Sequence, residues 1–153
     1  MGHGVKLSFR RATSEDADAF LALEHSVIGT KTYSGSANRA EALQEIAENE
    51  VYLIYRDEQL IGSTAFQMKS HDHAYLSGMV VHPDFQGQSI AREAALFRLR
   101  KLQGVKRIDL VTHPGNFKVI RLWKTLGFQI EKRIENYFGD GEPRLVLVKE
   151  RQL

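Results

Sequence analysis

The stretch from Gly78 to Arg92 limits the fold more than any other part of this chain. It reads Gly-Met-Val-Val-His-Pro-Asp-Phe-Gln-Gly-Gln-Ser-Ile-Ala-Arg. An apolar strand runs up to His82-Pro83, a turn of small and polar residues follows, and a helix starts at once near Ser89. Proline disfavours helix at the residue before it, so the strand stops there and the chain turns. The first N–H groups of such a helix have no partner inside it, and its dipole favours negative charge. Small residues at Gly87, Ser89 and Ala91 leave room for a phosphate close to the backbone. The joint therefore predicts a phosphate cradle for a nucleotide-like cofactor. Two other cradles are excluded: there is no Gly-Lys-Ser/Thr, and no Gly-x-Gly-x-x-Gly follows the first strand.

The flanking sequence places this joint in a mixed α/β chain. Val5 to Arg11 alternates as a strand, and Thr13-Ser14-Glu15-Asp16 supplies an N-cap and acidic first turn for a helix through Ala17, Phe20, Leu21 and Leu23. Ser26 to Ser36, with Gly29 and Gly35, reads as a loop before a helix over 37–49. Val51 to Tyr55 and Leu60 to Met68 form a hairpin across Asp57-Glu58-Gln59. Ala74 to Val81 is the strand of the joint, and Ser89 to Leu102 its helix, although Arg98 falls among the helix's apolar positions. Arg107 to Thr112 is a strand, and Asn116 to Leu126 a helix stopped by Gly127. Phe128 to Phe138 and Pro143 to Lys149 pair across Gly139-Asp140-Gly141. The order is β-α-α-β-β-β-α-β-α-β-β, which predicts a mixed sheet with helices on its faces and a single domain over 1–153.

Composition narrows the function. There is no cysteine among the 153 residues, which excludes disulfides, thiolate zinc sites and thiol catalysis. With 21 basic against 19 acidic residues the net charge is +2, so nothing favours nucleic acid or a membrane surface. No run is long and apolar enough for a transmembrane helix. Met1-Gly2-His3-Gly4 lacks the apolar stretch of a signal peptide, and Lys6 stands where a myristoylation signal wants Ser or Thr. A cytoplasmic location is the expectation. His71-Asp72-His73 has no further ligand nearby and reads as a polar turn, so no metal site is expected.

Val81-His82-Pro83-Asp84-Phe85-Gln86-Gly87-Gln88-Ser89-Ile90-Ala91 resembles the acetyl-CoA signature of the GNAT acetyltransferase superfamily. That pattern is Val-x-Pro, Arg or Gln, two residues, Gly, one residue, and Gly or Ala. Gln86 and Ala91 match, and Ser89 replaces the middle glycine, which keeps room but loses freedom at positive φ. Asn116 through Leu122-Trp123-Lys124-Thr125-Leu126-Gly127-Phe128 is similar to the family's second motif of Asn, aliphatic helix, Tyr and Leu-Gly-Phe. The element order is that of the family over nearly the whole chain.

The resemblance implies an N-acetyltransferase that moves an acetyl group from acetyl-CoA to a primary amine of a small molecule or peptide by direct attack. It implies that the pantetheine arm pairs with the backbone of Met79, Val80 and Val81. The pyrophosphate would rest on Gln86, Gly87, Gln88, Ser89, Ile90, Ala91 and Arg92, and Asn116 and Trp123 would meet the cofactor from the second motif. Backbone N–H groups near Val80 would polarise the thioester carbonyl. Trp123 stands where the family commonly has a Tyr acid, and an indole N–H is only a donor. A water or Tyr137, expected on the penultimate strand, is the candidate replacement. The Glu that related enzymes carry on the strand before the Asn is Val111 here. Glu24, His25 and His113 are the candidate bases, with Glu24 preferred because the first helix flanks the family's acceptor cleft. The rival reading is an acyl-CoA-binding module without turnover, which Val111 and Trp123 favour.

Three features are left. Arg98, Arg100, Lys101, Lys106 and Arg107 read as a solvated basic helix end that can serve the 3′-phosphate of CoA. Tyr33 lies in the glycine-flanked loop, either packed or at the acceptor. The uncharged run Leu145 to Val148 is buried or forms a subunit contact, and the family resemblance makes a homodimer plausible.

Overall fold

A computed structural model describes residues 6–27, 38–87 and 89–151. The glycine-containing loop with Tyr33, the first five residues and Gln88 lie outside the described residues. The strands are β1 (Leu7–Arg11), β2 (Glu50–Arg56), β3 (Gln59–Ser70), β4 (His73–Val81), β5 (Arg107–Thr112), β6 (Gln129–Ile134) and β7 (Arg144–Glu150). The helices are α1 (Ala17–His25), α2 (Arg39–Glu48), α3 (Ile90–Lys101) and α4 (Phe117–Thr125). Short 3-10 turns at Ser14–Asp16 and Pro83–Phe85 precede α1 and α3. Hydrogen-bonded strand neighbours follow the order β1-β2-β3-β4-β5-β7-β6. β4 and β5 are parallel, while β1, β2 and β3 pair antiparallel, as do β5, β7 and β6. The element order and mixed sheet are those expected from the sequence.

The chain groups into two compact units, residues 1–67 with 78–101, and residues 68–77 with 102–153. In the first, β2 carries apolar residues on both faces. Val51 and Leu53 join Phe20, Ala42 and Ile46 from α1 and α2, whereas Ile54, one residue on, joins Ile61, Ile90 and Ala94 from β3 and α3. Side chains alternate across a strand, so a strand covered by helices on both faces reads as a continuous apolar run. Thr13 and Asp16 form a reciprocal capping box that starts the α1 region.

Arg98 corrects the sequence reading. It was expected at a solvated helix end, but it is only 2% exposed. It shares the inward face of α3 with Ala94, Ala95 and Leu99, so its guanidinium is carried into the core. Nη1 donates to the carbonyls of Ala65 (2.8 Å) and Gly78 (3.3 Å), and Nη2 lies 3.6 Å from the sulfur of Met79. Burial lowers its pKa from the usual guanidinium range.

In the second unit β5 alternates cleanly. Ile108, Leu110 and Thr112 are buried, while Arg107, Asp109 and Val111 occupy the other face. Arg107 is also not a free member of a basic patch. It makes a bidentate pair with Glu131 at 2.8 Å and donates to Asp109 at 3.1 Å. Strand β7, which holds the uncharged run Leu145 to Val148, sits between β5 and β6, with Val146, Leu147 and Val148 buried. α4 ends in a Schellman motif: Phe128 N–H bonds to Trp123 O, Gly127 N–H bonds to Lys124 O, and Gly127 adopts φ +97°. Among the described residues no helix is long and apolar enough to cross a membrane.

Candidate functional site

β4 ends in a braced joint. His82 N–H donates to Ile61 O at 2.8 Å, which ties the strand end to β3. Pro83 opens the 3-10 turn, and His82 Nδ1 accepts the Asp84 N–H at 3.1 Å. His82 therefore builds the turn, as the sequence suggested. The Gln86 side chain folds back so that Nε2 donates to Val81 O at 3.1 Å. Gly87 then adopts φ +81° and Ser89 φ +61°, and α3 begins at Ile90. Ser89 O accepts the first intrahelical bond, from Glu93 N–H at 3.1 Å. Ser89 thus takes up the left-handed conformation that a glycine would hold without strain.

Of the residues expected to serve through their backbone, Val80 and Ile90 bury their side chains, and Met79 and Val81 are half-buried. A Cβ placed on Gly87 or on Gly78 meets no atom within 4 Å. By contrast, a Cβ on Gly62 would lie 2.6 Å from Val80 O. Gly62 is thus where β3 admits the backbone of β4, a position the sequence did not single out. Ala91 is half-buried and Arg92 exposed in the first turn of α3.

The second motif belongs to the other unit. Asn116 occupies the N-cap position of α4, yet its side chain makes no capping hydrogen bond. An Asn at this position ordinarily accepts from the first turn of its own helix. Trp123 is 2% exposed and packs edge-on against Phe128 with centroids 4.9 Å apart. A large indole at this point of a Schellman motif supplies the apolar contact that closes the helix. Val111 is apolar, as read, and carries no base.

Glu24 is buried at the end of α1 (5% exposed), whereas its neighbour His25 is exposed. Burial, then Glu24, then Glu48 hold the Glu45 carboxyl above the usual range, which places Glu24 in a small acidic group with α2. His113 Nε2 pairs with Glu142 at 2.8 Å, and its Nδ1 accepts Gly115 N–H at 2.9 Å, so both ring nitrogens are used. Tyr137 is 41% exposed, edge-on to Phe138. It lies beyond the end of β6, in the connection to β7 rather than on the strand, because Asn136 takes φ +52° and turns the chain.

One cavity of ≈ 400 Å³ in the second unit was not visible in the sequence. Tyr75, Val111 and Tyr137 line it together with His73, Arg107, Asp109 and Glu131. His73 Nε2 bonds to Asp109 Oδ2 at 2.9 Å, and His71 pairs with Asp72 at 3.1 Å, so the two histidines of the polar turn engage different carboxylates. The Arg107–Asp109–Glu131 network depends on β7 lying between β5 and β6, which spacing along the chain cannot show.

The sequence model of the acetyltransferase (GNAT) family matches residues 15–128. Among solved structures, the ribosomal-protein-S18-alanine N-acetyltransferase from Escherichia coli superposes with a TM-score of 0.80 at 18% identity, over 97% of this chain and 96% of that one. Ard1 from Thermoplasma volcanium gives 0.79 at 16% identity, over 96% and 99%. A GNAT family acetyltransferase from Elizabethkingia anophelis, solved with acetyl-CoA bound, gives 0.74 at 17% identity, over 95% and 98%. No curated protein sequence matches significantly. The family model spans well over half of the residues, and the chain belongs to the GNAT acetyltransferase family.

Proposed function

We propose that this protein is an acetyl-CoA-dependent N-acetyltransferase, with a primary amine of a small molecule, peptide or protein N-terminus as acceptor. The observation that carries the reading is the joint itself: β4 stops before His82-Pro83, and Gly87 and Ser89, on either side of Gln88 and both with positive φ, lead into the N-terminus of α3. Such a bend aims main-chain N–H groups and the positive end of a helix dipole at one spot, which suits a pyrophosphate. The open space around Gly78 and Gly87 leaves the backbone approachable. Asn116, whose amide does not cap its own helix, is the side chain we assign to the cofactor from the second motif.

Bound acetyl-CoA supplies an activated acetyl thioester. The protein's part is to present Met79, Val80 and Val81 main-chain groups to the pantetheine arm and the acetyl carbonyl. The acceptor nitrogen must arrive neutral. An α-amine, with a pKa near 8, needs less help than a lysine-like amine near 10.4. Nitrogen forms a bond to the acetyl carbon, the carbon–sulfur bond breaks, and the amine proton leaves to a base or to water. Glu24 is the side chain we assign to that proton, and Tyr137 is the candidate donor to the departing sulfur. A thiol of pKa about 8.5 also leaves readily as thiolate, which lightens the loss of an acid at Trp123. The neighbouring ribosomal-protein-S18-alanine N-acetyltransferase from Escherichia coli supports an amine acceptor in general terms.

The second reading is an acyl-CoA-binding module without turnover. The burial of Trp123 and the apolar side chain of Val111 favour it. One assay separates the two. Thiol release from acetyl-CoA is followed against a panel of amines, peptides and aminoglycosides, alongside thermal stabilisation by CoA. Release with any acceptor establishes the enzyme. Stabilisation without release supports the module. No binding of CoA at millimolar concentration overturns both.

A further inference from the structure

Arg98 places a guanidinium in the core of the first unit. A charge in a core costs several kcal/mol of desolvation, and apolar residues of similar volume commonly replace buried charges without loss. α3 already packs through Ile90, Ala94, Ala95 and Leu99. What Arg98 does is specific. A single nitrogen, Nη1, takes the carbonyl of Ala65 on β3 and the carbonyl of Gly78 on β4. The Gly78 carbonyl belongs to the same peptide group as the Met79 N–H.

We propose that Arg98 is a positioning residue for acetyl transfer: it fixes and polarises the Gly78–Met79 peptide, so that the N–H groups that follow on β4 are aimed and strengthened toward the acetyl carbonyl. The inference rests on the acetyl-CoA reading given above. Three contacts hold this piece of β4 against its surroundings: Arg98 at Gly78, the close approach of Val80 O to Gly62, and the His82–Ile61 hydrogen bond. A carbonyl that accepts from a cation draws density from its own peptide nitrogen, which makes that N–H a better donor. A fixed positive charge in a dry core also favours negative charge developing on a carbonyl oxygen nearby, with no reorganisation at the moment of reaction. Arg98 itself touches neither cofactor nor acceptor.

The test needs no knowledge of the acceptor. Acetyl-CoA labelled with ¹³C at the acetyl carbonyl is bound to wild type, Arg98→Met and Arg98→Lys, and the carbonyl stretch is read by infrared difference spectroscopy. Affinities for acetyl-CoA and CoA are measured in parallel by calorimetry. In wild type the band moves to lower frequency on binding, and acetyl-CoA binds more tightly than CoA. In Arg98→Met at least half of the band shift is lost, and the preference for acetyl-CoA falls severalfold, with CoA affinity within about threefold of wild type. Arg98→Lys, which keeps the charge but not the fork, falls between. With an acceptor in hand, kcat drops about tenfold in Arg98→Met while the KM for acetyl-CoA holds. A merely structural role would lower the melting temperature and leave band and preference alone, and that result overturns the proposal. If Arg98→Met does not fold, an unshifted band in Arg98→Lys relative to wild type overturns it equally. Failure of wild type to bind acetyl-CoA removes the functional reading, and this inference falls with it.

Discussion

Gly62→Ala probes how tightly β4 is held. The new methyl would sit 2.6 Å from Val80 O and 3.4 Å from Ile54 Cδ1. Non-bonded carbon and oxygen need more than 3.0 Å, so the Val80 carbonyl must retreat by roughly 0.5 Å or more. The obstacle is backbone and cannot rotate away as a side chain would. Overpacking of this kind costs about 1–3 kcal/mol, offset by about 0.4–1 kcal/mol from the stiffer unfolded chain. The net expectation is a loss of about 1–2 kcal/mol, which for a chain of this length is a fall of about 2–8 °C in Tm. The displaced atom lies in the segment assigned to the acetyl carbonyl. Misplacement of this order weakens acetyl-CoA binding or turnover by about tenfold or more. Gly78→Ala is the control, since its Cβ meets no protein atom and its φ is not positive. It should hold stability within about 0.5 kcal/mol. Thermal melts and calorimetry on the two variants check this. Equal Tm and equal acetyl-CoA affinity in Gly62→Ala and wild type would refute the close-approach argument.

Three further outcomes are expected. Ser89→Val puts a β-branched residue at φ +61° and should lose about 1–3 kcal/mol in urea unfolding, whereas Ser89→Gly should match or exceed wild type. Asn116→Ala should change Tm by little, because no capping bond is lost, yet weaken acetyl-CoA binding in calorimetry; a cap-sized loss of about 1 kcal/mol with unchanged affinity would contradict the assignment. Glu45 holds its proton more tightly when folded than unfolded, so the folded state binds more protons above the ordinary Glu value of about 4.3. Its contribution therefore declines as pH rises through the raised value. Glu45→Gln should stabilise the protein at neutral pH and flatten that decline in a pH series of melts; an unchanged pH profile would show that Glu24 and burial do not act on it.

Much of the architecture was legible along the chain because local rules set it. Pro83 had to end a strand, Gly127 had to stop a helix, and Thr13 with Asp16 had to cap one. The alternation over Arg107 to Thr112 placed β5 residue for residue. The joint after β4 was legible for the same reason, down to Ser89 at a position that asks for positive φ. Other readings failed where the deciding partner is distant. Arg98 reads as solvated from composition alone, and only α3 lying on β3 and β4 brings it to the carbonyls of Ala65 and Gly78. Tyr137 reads as strand until Asn136 turns the chain beneath it.

The sequence by itself therefore determined the element order, the strand–turn–helix joint after β4 and its resemblance to the GNAT family, since each depends on φ preferences and periodicity within a few residues. Tertiary structure alone decided that Trp123 meets Phe128 edge-on, that Gly62 makes room for Val80, and that a buried cation lies under Gly78. Those depend on which strands and helices become neighbours, and that is set by burial of apolar faces far apart in the chain.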